Sequence, residues 1–549
     1  MAPAPSETFD FIVVGGGTAG CVLADRLSAD GRSTVCLIEA GPVDRHPLIH
    51  VPVGMMGLIN HKRLNWGYSS VAQPGLDGRI ITVPRGRMLG GSGGFNGMVY
   101  TRGHRIDYDD WRAAGNVGWG YEEVLPYFRR SEDNLDIHDE WHGKGGPLTV
   151  ATVRRPNALT LAFLAAAAER GFARNDDING AEQDGFGLRQ VTIRDGRRVT
   201  SATAFLRRAL QRRNLHVMTG ADASRIVISD GRAIAVELVH GGVSREVVAS
   251  REIVLCAGTF GSPAILMRSG IGDGSRLSAA GIEPVHHLPG VGQNLADHPS
   301  AQIVWEGATR HSYGISAAVL PRLAGEALSY AIRRKGMFAS NIFEAAGYVR
   351  TQPGVDRPDV QIVFCPAMRR PGGTLGVGHG YAFGVVVLRP KSRGSVGLRG
   401  PDPDSGIAID LGLFRDSADL EAMARGLVVA RGLASADAFR PFARAEISPG
   451  DAVGHGDLQR FARATAATAF HPVGTCRMGV DDDAVVDPCL RVRGIAGLRV
   501  ADASIMPSII GGNTNAPVIM IAEKASDLLL EGRAAVVDLE EKPNAYETA

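Results

Sequence analysis

The chain has 549 residues, 44% of them hydrophobic, and its 59 Lys and Arg against 58 Asp and Glu give a net charge of +1. Those values describe a large globular protein able to bury a bulky ligand, and the even balance lacks the basic surplus that nucleic-acid binding needs. The six cysteines, none in a C-x-x-C pair, exclude a disulfide framework or zinc site and fit a reducing compartment.

The opening MAPAPSETFD has neither the basic nor the apolar region of a signal peptide. No apolar run reaches the roughly 18 residues that span a bilayer, so a cytoplasmic location is expected. FDFIVV (9–14) reads as a buried strand, GGGTAG (15–20) as a turn, and CVLADRLSAD as a helix stopped by Gly31. TVCLI (34–38) is a second strand ending at Glu39. The result is a βαβ unit with its glycines at the first turn.

In Gly15-x-Gly17-x-x-Gly20, the first glycine permits the turn, the second lets a pyrophosphate approach, and the third lets helix pack on strand. The helix N-terminus offers free N–H groups to the phosphates. Glu39 lies nineteen residues beyond Gly20, the distance at which an acid reaches the ribose hydroxyls. The plainer reading, a glycine turn between strand and helix, does not account for Glu39. A dinucleotide is expected, and the motif alone leaves FAD and NAD both open.

Alternating runs such as VQIVFC and FGVVVL, within 150–200 and 300–460, read as antiparallel strands. EIVLC (252–256) is a further strand, followed by a helix with Ser262 as N-cap and Pro263 at its first position. LRVA (498–501) is another strand, and a long helix starts near Ala516 with Asn515 as its N-cap. The last dozen residues read as a polar tail. The expected class is α/β (α+β overall), a Rossmann-like dinucleotide domain plus a substrate domain with an antiparallel sheet flanked by helices. The first is gathered from 1–150, 206–300 and 461–540, the second from 151–205 and 301–460.

Four further stretches, GRMLGGSGGFNGMVYTRG (86–103), GTFGSPAILMRSGIG (258–272), FHPVGTCRMG (470–479) and DASIMPSIIGGNTNAPVIMIAE (502–523), follow GGGTAG in order. With it they resemble the glucose–methanol–choline (GMC) oxidoreductases over nearly the whole chain, and most of all the choline-dehydrogenase-like alcohol dehydrogenases and oxidases. The resemblance implies FAD and oxidation of an alcohol, with oxygen or another acceptor taking the electrons. It places Gly15, Gly17, Thr18, Ala19, Gly20, Glu39 and Ala40 at the adenosine and pyrophosphate end. Gly90, Gly91, Ser92, Asn96, Gly97, Met98 and Val99 fall in a flavin-contacting loop, with Trp66 in the same region. Ala223 faces the adenine, and Asp502 and Ala503 lie near the pyrophosphate and ribityl chain. Phe95 stands where some members carry a flavin-linking histidine; it cannot form that bond, which implies non-covalent FAD. Gly93 and Gly94 replace common serines and suggest a loosened loop.

Removing hydride from an alcohol requires a base for the hydroxyl proton, and histidine suits it. Among 15 histidines, His471 matches the family's catalytic position; its plainer reading is a residue of a His-Pro turn. Asn515 is assigned the neighbouring hydrogen bond to the substrate oxygen, alongside its capping role. Phe470 lines the pocket or packs in the core. His142, His298 and His286–His287 are read as structural or surface residues, and the absence of ligand spacing such as H-E-x-x-H argues against a metal. The rivals are a non-redox hydroxynitrile lyase of the same fold, an NAD-dependent dehydrogenase, and a flavin-bearing binding protein.

Overall fold

The computed structural model describes residues 7–369 and 376–540, with side chains to 531. The expected polar tail falls mostly beyond Glu540, outside the described residues. Two seven-stranded sheets organise the chain. In the first, β1 (Glu7–Val14) leads through α1 (Thr18–Leu27) to β2 (Val35–Glu39). Strand β1 runs parallel to β2 on one side and to β3 (Val243–Leu255) on the other. Leu215–Thr219 extends the sheet in parallel beyond β2, and β4 (Leu498–Val500) pairs in parallel with the end of β3. The first half of β3 belongs instead to an antiparallel meander with Ala221–Ser229 and Arg232–His240. Parallel strands covered on both faces read as continuous apolar runs; Phe11–Val14 and Val35–Ile38 are such runs, each residue at most 2% exposed.

The carboxyl ends of β1, β2, β3 and β4 share one edge, where the register aligns Val14 with Ile38 and Leu255, and Leu255 with Val500. In an open α/β sheet that edge is where ligands bind. The third strand leads into α2 (Gly258–Arg268), which begins earlier than its sequence suggests: Ala257 is its N-cap and Pro263 lies inside it. A proline there deprives the carbonyl four residues back of its N–H partner. That carbonyl, on Thr259, accepts the Thr475 hydroxyl instead at 2.6 Å. Ser262 is buried and donates its hydroxyl to Asp502 at 2.6 Å, so it does not cap the helix. The final helix, α3 (Asn515–Glu540), contains Asn515 as its first residue, and the Thr514 carbonyl accepts from Val518 N. The expected N-cap at Asn515 is therefore displaced to Thr514.

The second sheet is antiparallel throughout, in the order Ala443–Ser448, Pro299–Gly307, Gly380–Val387, Val360–Cys365, Ala345–Val349, Gly185–Leu188, with Ala467–Thr468 beside the start of Pro299–Gly307. Alternate residues face opposite sides of a sheet. Phe364 and Phe383 point to a cluster with Phe163 and Phe439 at ring separations of 5.0–5.3 Å, each buried ring contributing about 1.5–3 kcal/mol. Gln361, Val363, Gly384 and Val386 point the other way, into a cavity shared with the first sheet.

Candidate active site

A cavity of about 600 Å³ runs from the glycine turn to His471. Every residue assigned to the site from sequence lines it except Gly20 and Gly90, and both exceptions have a packing reason. A Cβ on Gly20 would stand 1.9 Å from the Gly15 carbonyl, whereas one on Gly17 would meet only Cys256 O at 3.9 Å. Gly20 thus closes helix onto strand, and Gly17 leaves its backbone open to the cavity. Gly90 has φ +88° and donates its N–H to Gly16 O at 2.8 Å, supporting the glycine turn from behind. Gly91–Gly94 forms a tight 3₁₀ turn. A Cβ on Gly93 would lie 3.1 Å from Thr18 Oγ1, and one on Gly94 3.1 Å from Met88 Sδ. These glycines allow close packing, and the loosened loop expected from them is not what forms.

Glu39 is 6% exposed and accepts Gly16 N at 2.8 Å and Gly41 N at 2.7 Å, one on each oxygen. Burial pushes its carboxyl up to about 7, against those two hydrogen bonds; each oxygen retains a lone pair for a ribose hydroxyl. Asp502 uses both oxygens on protein: Gly258 N and the Ser262 hydroxyl on one, Ser504 N and hydroxyl on the other. It places negative charge at the N-terminus of α2 and fixes the neighbouring cavity wall. Trp66 stacks on Tyr68 under the Arg87 guanidinium, 4.6 Å from its ring.

At the far end, His471 follows Phe470, whose φ of +68° is strained for a non-glycine residue. The turn is held from three sides. Arg85 donates to Phe470 O at 2.7 Å, Asp297 accepts His471 N at 2.9 Å, and Asp297 also accepts the Thr468 hydroxyl. His471 Nδ1 lies 3.0 Å from His298 Nδ1, and His471 Nε2 lies 2.9 Å from Asn513 Nδ2. The proton positions follow from this chain of contacts. Burial, with the Arg389 charge, pushes His298 down to about 3, so its ring is neutral and carries one N–H. His298 Nε2 faces the Ile510 carbonyl at 3.1 Å and must donate. Its Nδ1 therefore accepts from His471 Nδ1–H, leaving His471 Nε2 with a lone pair towards Asn513 and the cavity. His471 itself is held well below the usual histidine range by burial first, then by His298, Arg85 and Arg189. It is an uncharged base at neutral pH.

Two sequence assignments change here. Asn513, not Asn515, sits beside His471: Asn515 Oδ1 accepts the Thr18 hydroxyl at 2.9 Å, tying the start of α3 to α1. His298 is buried and contacts the base directly, so of its two readings the structural one holds, with the added role of orienting the His471 ring. The adjacency of Asp297 and His298 was the available signal, since both contact the 468–471 turn. In NTN (513–515), the residue before a helix can face a cavity while the first helical residue is committed to the neighbouring helix.

A glycine-cradled dinucleotide seat joined by one cavity to a buried neutral histidine defines a dinucleotide-dependent oxidoreductase. Family models described as GMC oxidoreductase match residues 9–300 and 390–522. The chain is 41% identical over 527 residues to an alcohol dehydrogenase [acceptor] of Pseudomonas putida, covering 95% of this chain and 96% of that one. It is also 41% identical over 534 residues to an oxygen-dependent choline dehydrogenase of Rhizobium etli, covering 95% of each. Among solved structures, pyridoxine 4-oxidase from Mesorbium loti matches with a TM-score of 0.85 at 35% identity, covering 94% of this chain and 98% of that chain. A formate oxidase from Aspergillus oryzae RIB40 matches at 0.90 and 28%, covering 97% and 100%. The chain belongs to the GMC oxidoreductase family, and it is an FAD-dependent oxidoreductase.

The residues present fit FAD. Gly17 is open where a pyrophosphate approaches, Glu39 has free lone pairs where a ribose ends, and the cavity continues past the Asn96–Val99 loop to His471. Asn513 Oδ1 is buried there with no hydrogen-bond partner among the described residues.

Proposed function

We propose that the enzyme oxidises an alcohol, primary by preference, to the aldehyde, with His471 as base and Asn513 as the hydrogen-bond donor to the substrate oxygen. One observation carries this reading: His471 presents an unprotonated Nε2 to the cavity beside the Asn513 amide. Nε2 has one lone pair, which accepts from Asn513 Nδ2 at 2.9 Å; an alcohol entering there replaces that contact, donating its O–H to Nε2 while its oxygen accepts from Asn513 Nδ2. As the proton moves to His471, Asn513 stabilises the negative charge growing on oxygen. The contact from His471 Nδ1–H to His298 keeps the ring in the accepting tautomer until that proton arrives. When bound, FAD supplies the acceptor for the hydride leaving the carbon.

Phe95 offers no atom for a bond to the flavin, which supports non-covalent FAD; it is 7% exposed beside Met88 and Leu58. The relatives named above are dehydrogenases and oxidases, which supports the redox reading over the lyase. Either oxygen or another acceptor completes the cycle. Among the described residues no helix is long and apolar enough to cross a membrane, and six free cysteines support our placement in the cytoplasm.

Replacing His471 with Ala should leave the flavin spectrum and FAD content intact while lowering kcat about 10²–10⁴-fold. Full turnover by a flavin-loaded His471→Ala variant would sink the reading.

A further inference from the structure

Two arginines stand on the substrate side of the cavity without an acid to face them. Arg189 lies between Gly185–Leu188 and Gln190–Val191. It is 3% exposed, and its Nε and Nη2 are buried without a hydrogen-bond partner. Its backbone is fixed on both sides, with N–H on Glu344 O at 2.9 Å and its carbonyl accepting Val153 N at 3.0 Å. Arg369 follows the strand Val360–Cys365, and its guanidinium lies 5.0 Å from the centre of the Phe343 ring. Its Nε is likewise buried and unpartnered. Both arginines line the cavity that holds His471 and Asn513. Phe343 lines it too and packs against Gly97, where a Cβ would stand 3.3 Å from the ring.

The carboxylates lining this cavity, Glu39, Asp222, Asp404 and Asp502, all belong to the dinucleotide end. Glu39 and Asp502 are bonded to the backbone there, Asp222 faces Arg87 at 3.3 Å, and Asp404 acts on Asp222. Neither Arg189 nor Arg369 forms an ion pair among the described residues. A guanidinium cannot shed its proton, and burying it unpaired is costly, so the fold keeps two such charges beside the reacting centre. A ligand must bring the opposite charge. The phosphates of FAD are accounted for at the N-terminus of α1, which leaves the substrate.

We propose that the substrate alcohol carries a carboxylate, seated between Arg189 and Arg369 while its hydroxyl lies against His471 and Asn513. This rests on the alcohol-oxidation reading above. A planar carboxylate matches the guanidinium fork. Phe343, Val363, Val386 and Phe470 give the space between the charges and the base apolar walls, which suit a spacer such as an aromatic ring. Arg189 is also one of the charges that depress the basicity of His471. A carboxylate on Arg189 cancels that influence, so a correct substrate strengthens its own base. Choline, a cation, meets two guanidinium groups there, and the Phe343 ring that could take a cation already faces Arg369.

The test uses the FAD-loaded enzyme. In a first measurement, 4-methylbenzoate and its neutral isostere 4-methylbenzamide are titrated while flavin absorbance is followed. The acid should saturate at least ~10-fold lower in concentration, the scale of a charged hydrogen bond, and Arg189→Gln or Arg369→Gln should close that gap. Equal binding by wild type overturns the proposal, and needs no variant to fold. In a second, kcat/KM is compared for 4-(hydroxymethyl)benzoate and benzyl alcohol. The acid should be preferred, and the loss in Arg189→Gln should be at least ~10-fold larger for it than for benzyl alcohol and lie mainly in KM. Equal losses for both alcohols would assign Arg189 to the reduced flavin and overturn the proposal. If the acid binds through Arg189 yet no alcohol bleaches the flavin, the anion seat stands and the oxidation reading falls.

Discussion

Asn513 and Asn515 are two residues apart and do different work. The first donates towards His471 Nε2; the second accepts from Thr18. Asn513→Ala should lower kcat/KM by about 10²–10³-fold, as for other lost donors to developing charge, with FAD content unchanged. Asn515→Ala should act mainly on FAD retention and thermal stability, because it frees Thr18 at the phosphate-facing end of α1. Steady-state kinetics beside flavin absorbance and melting curves separate the two. The glycines and Glu39 were legible in sequence because each sits at a fixed offset from a strand end. His471 was legible only through a family motif. Asn513 was not, since whether an asparagine faces a cavity or a neighbouring helix depends on where that helix begins. Arg189 and Arg369 left no local signal at all: what sets them apart is the missing acid, a property of the assembled pocket.

Helix α3 is clamped at Glu523, whose side chain is fully buried and paired with Arg26 of α1 at 2.7 Å and with Arg130 at 2.7 Å. The same pair of helices meets at Thr18 and Asn515, so the clamp sets the height of the Asn513 loop over the cavity. Glu523→Ala leaves two guanidinium groups without their shared acceptor. It should cost about 3 kcal/mol, the low end for breaking a buried pair because both arginines are partly exposed. Thermal unfolding of the FAD-loaded protein measures it, and Glu523→Gln should recover part of the loss. The start of α3 was legible to within a residue from N-A-P. The start of α2 was not: Ser-Pro is a standard opening signal, overridden here because Thr475, more than 200 residues away, supplies the hydroxyl that replaces the missing N–H.

At the small sheet formed by Glu132–Asn134, Leu148–Thr152 and Gln190–Val191 lies a buried charged chain: Arg102 bonds Glu132, and His142 sits between Glu132 at 3.1 Å and Asp177 at 3.0 Å. Burial pulls His142 down, but hydrogen bonds to Asp177 and Glu132 and the Glu132 charge outweigh it and hold it at about 9. Both acids are held below the usual carboxylate range, against their burial, by His142 and, for Glu132, Arg102. A histidine raised in the folded state stabilises fully below its unfolded value near 6.5 and loses that contribution as pH climbs through about 9. The acids contribute above their unfolded values near 4 and lose it below. The network is therefore complete between roughly pH 4.5 and 6.5. Chemical denaturation should show stability falling by on the order of 3 kcal/mol between pH 6.5 and 9.5, and His142→Gln should flatten that slope. Two-sheet architecture was readable from the change of period between Phe9–Val14 and the alternating runs after residue 300. The buried ion chain was not, because its members lie 10 to 75 residues apart and no spacing links them.

The hydrogen bond from Thr18 to Asn515 spans 497 residues of chain. At a synthesis rate of 5–20 residues per second, about 25 to 100 s separate the two partners' appearance. The glycine turn is among the first parts of this protein to be made and among the last to be completed. Until β4 and α3 arrive, the end of β3 has an open edge and the seat has no cofactor to close over. Flavin loading is thus an event of the finished chain, and cells that start many chains at once bring those open edges together, where they aggregate. Lowering the number of chains started at once, or raising the flavin supply as chains are released, should increase the yield of loaded enzyme more than any change at the active site itself.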